Sequence, residues 1–174
     1  GTDRGLDELE YVAQRAAGDG VGTYVVTETA AALIVEAWLF GGGIWDYLDR
    51  RGSLLPEAET EVLRAWADCP WGLYEVVDVE PGTSISLRDL RGAPDEPVII
   101  LSDPAYAGEE YPGAFLLAHV IPDRGSRRLF GPPVEVPSHR LEDAHAMLDA
   151  DATAVAEWYG SLYRPPVAME AVSS

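Results

Sequence analysis

Residues 71–90 read WGLYEVVDVEPGTSISLRDL and mark a change in the hydrophobic pattern of the chain. Before Trp71 the apolar residues recur at helical spacing, whereas after it they alternate with polar residues. The sequence Glu80-Pro81-Gly82 between the two apolar runs is typical of a turn. This stretch therefore predicts two β-strands, Leu73 to Val79 and Ser84 to Leu90, joined by a turn.

Three more strands are predicted downstream. Pro97 to Leu101 and Ala114 to Ile121 are apolar runs of the kind found in buried strands. Arg128 to Val136 follows a tight turn at 123–126, and its Pro132-Pro133 pair must lie at an edge or a bulge, because proline has no backbone N–H to donate. Because closure removes exposed sheet edges, five short strands at this spacing favour a small antiparallel β-barrel-like sheet.

Helical spacing flanks the predicted sheet on both sides. The N-terminal side includes a very apolar stretch, Ala30 to Phe40, which Glu36 interrupts and which is expected to stop at a hinge, Gly41-Gly42-Gly43. On the C-terminal side two helices are predicted before Pro165-Pro166 ends the pattern. We therefore expect an α+β fold in one compact unit, with a helical region at 1–69, a β-barrel-like region at 70–137 and a second helical region at 138–174.

The composition excludes several mechanisms. The chain has 174 residues, of which 30 are acidic and 12 basic, and its net charge of −18 repels nucleic-acid phosphates. Lysine and asparagine are absent, which excludes a Walker-type phosphate loop, a Schiff-base enzyme and N-glycosylation. The single cysteine, Cys69, permits neither an intrachain disulfide nor a four-cysteine zinc site. We expect a cytoplasmic protein with no nucleic-acid or membrane partner.

One group of polar residues and one isolated histidine are candidates for metal or acid–base chemistry. His139 and Glu142 are three residues apart and can share a helix face, whereas His145 is six residues from His139 and points elsewhere. These three residues are the metal-ligand candidates, and exposed polar residues on a helix are the simpler interpretation. His119 interrupts an apolar strand, where it either faces outward or is a satisfied core histidine. The pattern indicates no cofactor and no catalytic residue.

The predicted loop before the fourth strand combines aromatic and acidic side chains. Tyr106, Glu109, Glu110 and Tyr111 lie in this segment, which we expect to be exposed. Such a mixture suits a basic or arginine-rich peptide, because the charges are complementary and the rings offer apolar contact area. These four residues are the peptide-binding candidates.

Six segments carry a family resemblance that covers roughly residues 35–150. They are Gly52 to Glu57, Trp66, Leu73 to Gly82, Leu87 to Gly92, Leu116 to Pro122 and Leu129 to Gly131. In these segments the chain resembles a largely uncharacterised family of high-GC bacterial proteins that carry a SEC-C zinc motif. This chain lacks the zinc motif itself, because one cysteine cannot supply it. The resemblance implies an accessory or interaction module and no established reaction.

Together these observations predict a non-enzymatic module that binds a protein or a peptide. Two alternatives remain open. One is a metal-dependent hydrolase that uses the region of His139 and Glu142, and the other is a structural or oligomerisation domain.

Overall fold

The computed structural model describes residues 32, 33, 35, 36, 38–93, 95–102, 107, 111–150 and 152–162. This part of the chain contains a five-stranded antiparallel sheet, with helices before and after it in sequence, so the α+β class is confirmed. The α-helices are α1 (Ile44–Arg51), α2 (Glu57–Ala67), α3 (Leu141–Met147) and α4 (Ala152–Leu162). The strands are β1 (Trp71–Glu80), β2 (Ser84–Asp89), β3 (Ile99–Leu101), β4 (Phe115–Asp123) and β5 (Ser126–Glu135).

The strand order in the sheet is β3-β2-β1-β4-β5, and every neighbouring pair is antiparallel. All five predicted strands are present. The turn between β4 and β5 places Arg124 and Gly125 at φ 49° and 85°, a left-handed pair that suits the twist of a two-residue hairpin turn.

The sheet is not closed into a barrel, so the expectation of a β-barrel-like sheet is corrected here. The edge strands β3 and β5 approach each other but form no hydrogen-bonded ladder. Strand β3 has only three residues, and β5 carries the Pro132-Pro133 pair, whose nitrogens cannot donate to a neighbour. The two prolines therefore lie on an edge strand, as predicted, and next to a register shift opposite Leu117 and His119.

Each face of the sheet has its own hydrophobic core, because side chains alternate along a strand. Leu73 and Leu117 face the helices after the sheet, while Tyr74 and Leu116 point to the other face. The first core consists of Leu33, Trp71, Leu73, Leu117, Val134, Val136, Ala144, Leu148, Val155, Trp158 and Tyr159. The second consists of Tyr74, Val76, Ile85, Leu87, Leu101, Ala114, Leu116, Ala118 and Leu129.

The described residues between 32 and 38 are helical and lead into a π-helical turn, Leu39–Gly43, and then into α1. We call the described residues of the range 32–43 the entry segment. The predicted stop at the three glycines is therefore a kink, made by Gly42 at φ 124°, and not a helix end. At Gly43 a Cβ atom would lie 2.7 Å from the Trp38 carbonyl oxygen, so the kink requires glycine there as well.

The first 31 residues of the predicted helical region at 1–69, and the end of the chain after residue 162, lie outside the described residues. Within the described ranges, each helix is too short or too polar to cross a lipid bilayer.

Candidate functional site

The metal-ligand candidates are all exposed. His139 belongs to the short 3₁₀ turn Ser138–Arg140, and Glu142 and His145 lie on α3. In the part of the chain that the structure describes, no group of three or more His, Cys, Asp or Glu side chains is arranged to hold a metal ion. The geometry adds no support to the metal-site hypothesis, which stays a prediction.

Of the peptide-binding candidates, Tyr106, Glu109 and Glu110 lie outside the described residues. Tyr111 is described and is 57% exposed, and its hydroxyl donates a hydrogen bond of 2.7 Å to Oε1 of Glu135 on β5. Of the aromatic surface expected from this loop, the described structure contains one exposed ring, Tyr111, which is held against the edge of the sheet.

A buried pair of ionisable side chains joins the entry segment to the sheet. Oε1 of Glu36 and Nδ1 of His119 are 2.7 Å apart, and the two side chains are only 2% and 1% exposed. Glu36 comes from the entry segment and His119 from β4, so 83 residues of chain separate them. His119 is thus a satisfied core histidine, one of the two alternatives that its sequence context allowed.

Aromatic rings surround the imidazole of His119. The register of the sheet places His119 opposite Trp71 of β1 on one side and opposite Phe130 of β5 on the other. The Trp71 ring lies at a centroid distance of 4.0 Å, and the ring of Phe40 from the entry segment stacks on the imidazole at 3.8 Å with an interplanar angle of 12°. The Phe130 ring meets Phe40 edge-on at 5.0 Å. These rings separate the pair from water.

Gly131 makes room for the Glu36 carboxyl group. It lies beside Phe130 at the bulge of β5 and adopts φ +72°. A Cβ atom at this position would lie 3.0 Å from Oε2 of Glu36, closer than ordinary packing allows. The sequence Gly131-Pro132-Pro133 therefore bends the edge strand and opens the space that the carboxyl group occupies.

Burial shifts both pKa values of the pair strongly. It raises the pKa of Glu36 from 4.5 to about 8, partly offset by a backbone hydrogen bond of His119. It also lowers the pKa of His119 from 6.5 to about 3. At neutral pH one titratable proton is therefore shared between Oε1 of Glu36 and Nδ1 of His119. With this proton present, the pair has no net charge.

A second feature, at the protein surface, is an apolar groove of about 600 Å³ where α2 meets α1. Tyr47 comes from α1, Leu55 comes from the connection, and the other lining residues come from the first two turns of α2. The lining residues are Tyr47, Leu55, Ala58, Glu59, Val62 and Leu63. We call this feature the α1–α2 groove.

Large exposed apolar side chains are frequent in the stretch of chain that contributes to this groove, and two of them, Tyr47 and Val62, line it. Of the nine large hydrophobic residues that are exposed in the described structure, six belong to residues 35–62, and Leu54 is 71% exposed. The six are Val35, Trp38, Trp45, Tyr47, Leu54 and Val62. Such concentration on one region differs from the scattered single hydrophobic residues normal at protein surfaces.

Comparisons of the chain with protein-family models, with curated proteins and with solved structures found no match. The resemblance to SEC-C-associated proteins stays a prediction that rests on the sequence segments alone.

Sequence reasoning marked both members of the buried pair as interruptions of apolar runs but did not join them. The α1–α2 groove does not follow from the sequence, because the helical spacing of Val62 and Leu63 by itself predicts a buried inner face. The exposed side of a short helix depends on where its neighbours lie, which the spacing does not encode.

Proposed function

We propose that this protein is a non-enzymatic module that binds a protein or a peptide, and that the α1–α2 groove receives an amphipathic segment carrying basic residues beside its apolar face. The observation that carries the proposal is the groove itself, an apolar depression on an otherwise highly charged protein. Exposed apolar surface of this kind costs free energy in water, which a partner's apolar side chains recover on binding.

The dimensions of the groove suit side chains of a peptide. Its volume of about 600 Å³ lies in the range typical of ligand sites, and its walls are two helices joined by a short connection. An amphipathic helix laid between two helices buries residues spaced three and four apart. Leucine-sized side chains at that spacing would contact Leu55, Val62 and Leu63.

Charge favours a basic partner over a second copy of the chain. Glu59 lines the groove, and Glu57 and Glu61 are exposed on the same helix. With a net charge of −18, two copies repel each other, whereas arginine or lysine residues are attracted and accelerate association.

The lining of the groove supports binding more than catalysis. The residues around it include neither histidine, cysteine nor serine, and the strongly shifted pair of Glu36 and His119 is sealed in the core. General acid–base catalysis requires a group within hydrogen-bonding distance of the reacting atoms, which this pair cannot offer to a molecule in the groove.

A peptide titration tests the proposal. The probe is a fluorescein-labelled amphipathic helix with leucines on one face and arginines on the other, and the readout is fluorescence anisotropy. We expect saturable binding that Val62→Glu weakens at least tenfold, because the added carboxylate cannot be desolvated in the groove without cost. The matched control is Ile100→Glu, on the β3 edge, where the native side chain is 60% exposed; it should leave affinity within about twofold.

A second peptide separates recognition from general charge attraction. A scrambled peptide of the same composition has the same charge but no apolar face, so it should bind at least tenfold more weakly. Equal binding of the two peptides, or equal effects of Val62→Glu and Ile100→Glu, would contradict the proposal. A dimer in light scattering that Val62→Glu dissociates would also contradict it, because the groove would then hold a second copy.

A further inference from the structure

The Glu36–His119 pair occupies a position where its protonation affects how two parts of the fold are joined. Glu36 belongs to the entry segment and His119 to a central strand of the sheet, and the two side chains meet at 2.7 Å in a space closed to water. A carboxyl group can remain in such a place only if it is neutral or paired. The contact is therefore favourable only for particular protonation states of the pair.

Among the residues that the structure describes, no other charged group lies against the pair to compensate for the gain or loss of a proton. The groups packed against it are the ring of Phe40 from the entry segment, Trp71 from β1, and Phe130 with the Gly131 backbone from β5. All are uncharged, and Trp66 of α2, which touches Phe130, is uncharged as well. Among the described residues, the titratable groups at this site are Glu36 and His119 themselves.

We propose that Glu36 and His119 form a proton-dependent latch that fastens the entry segment to the sheet, and that removing the proton they share releases this segment. When that proton leaves, a carboxylate stays in an apolar space with a neutral imidazole beside it. Opening the latch returns the carboxylate to water, so alkaline pH favours the open state. Since Phe40 lies on the same segment, release exposes the ring that now stacks on the imidazole of His119.

The shifted pKa values set the pH range of the latch. In the open state Glu36 titrates near 4.5 and His119 near 6.5, whereas burial moves these values to about 8 and about 3 in the closed state. Between pH 4.5 and 6.5 the closed state holds one proton more on Glu36 and one fewer on His119, so opening changes no net number of protons. Above pH 6.5 only the Glu36 difference remains, and the closed state holds one proton more than the open state. The equilibrium constant for opening should therefore rise on the order of 20-fold between pH 5.5 and pH 9.

Native-state hydrogen exchange of the intact chain measures this opening directly. Exchange is followed by mass spectrometry from pH 5.5 to pH 9 and corrected for the intrinsic pH dependence of amide exchange. We expect the entry segment to open at a lower free energy than β1 and β2, with an opening constant that rises about 20-fold across this range. In Glu36→Gln, which keeps the shape but does not titrate, the constant should stay level above pH 6.5.

A matched substitution and the sheet amides provide the controls. Glu75→Gln removes a carboxylate from β1 that pairs with Arg88 at the surface, and it should leave the rise intact. The latch is overturned if the wild-type opening constant does not change with pH or if Glu36→Gln keeps the rise. It is also overturned if the entry segment and β1 open with equal constants at every pH, because the pair would then serve global stability alone. The wild-type titration gives a decisive result even if Glu36→Gln does not fold.

Discussion

At the residue scale, Glu36 shows how a carboxyl group is tolerated inside an apolar core. It accepts burial because His119 shares a proton with it, because Phe40 covers the imidazole, and because Gly131 leaves space for its second oxygen. Removing one member of a buried pair costs about 3–5 kcal/mol of stability, because the other member is left without a partner. The local geometry is therefore specific to this combination of residues.

The pair should give the protein a stability maximum in mildly acidic solution. The free energy of unfolding contributed by the pair is constant from pH 4.5 to 6.5, because Glu36 binds one proton more in the folded state and His119 one fewer. Above pH 6.5 only the Glu36 difference remains, and the contribution falls by about 2 kcal/mol as the pH rises to about 8. Below pH 4.5 only the His119 difference remains, and stability falls again towards pH 3.

Urea denaturation at a series of pH values checks this prediction. The quantity to compare is the difference between wild type and Glu36→Gln, because this subtraction cancels the other carboxylates of the chain. The difference should shrink or change sign between pH 6.5 and 8.5. Parallel stability curves for the two proteins over this range would show that Glu36 is ionised in the folded state at neutral pH, contrary to our interpretation.

Gly131→Ala tests whether the space beside Glu36 matters. The new Cβ would lie 3.0 Å from Oε2 of Glu36, and the residue would keep a φ of +72°, so we expect a loss of about 2–3 kcal/mol in the free energy of unfolding. Gly82→Ala is the control, because Gly82 has φ +71° with no atom within 4 Å of its added Cβ. It should cost about 1 kcal/mol from backbone strain alone. Equal losses in the two variants would mean that the Glu36 contact is unimportant.

At the element scale, the kink before α1 is made by three glycines with different roles. Gly42 has φ +124°, Gly43 packs against the Trp38 carbonyl, and Gly41 has open space around it. We expect Gly41→Ala to be neutral or slightly stabilising, because alanine favours the helical state. Gly42→Ala should lose about 1–3 kcal/mol through strain, and Gly43→Ala should lose at least as much. Thermal unfolding of the three variants checks this order, and a Gly41→Ala variant less stable than Gly42→Ala would refute it.

The strands illustrate what local pattern can predict and where it fails. Alternation in 71–90 and the turn residues at 123–126 locate β1, β2 and the β4–β5 hairpin, because side chains on successive residues must point to opposite faces. Closure of the sheet could not be predicted in the same way. It depends on whether two distant edges can exchange hydrogen bonds, and here β3 is short while Pro132 and Pro133 interrupt β5.

For the candidate site, too, the sequence locates the residues but does not predict their contact. The sequence marks Glu36 as a polar interruption of its longest apolar stretch and His119 as the interruption of a strand. Their contact depends on how the entry segment crosses the sheet, and no spacing along the chain encodes a pairing over 83 residues. The α1–α2 groove was missed for a related reason, since the face that α2 leaves open is set by Trp66, whose indole N–H donates to the Pro122 carbonyl oxygen at 3.0 Å.

At the scale of the whole molecule, charge and apolar surface have separate roles. The net charge of −18 makes copies of the chain repel one another, while most of the large exposed apolar side chains in the described structure belong to residues 35–62. A partner that is basic and amphipathic satisfies both features at once. Tyr111 is an exposed ring outside the groove, so the position of a bound peptide distinguishes the two.

Chemical-shift mapping with the leucine–arginine peptide tests the proposed function most directly. In a two-dimensional amide spectrum of the 15N-labelled chain, we predict that the largest shifts on peptide addition fall on Tyr47, Leu55, Val62 and their neighbours. Amides of Tyr111, Glu135 and α3 should shift little and serve as the internal reference. Largest shifts at Tyr111 and Glu135, or none anywhere at saturating peptide, would contradict the assignment of binding to the α1–α2 groove.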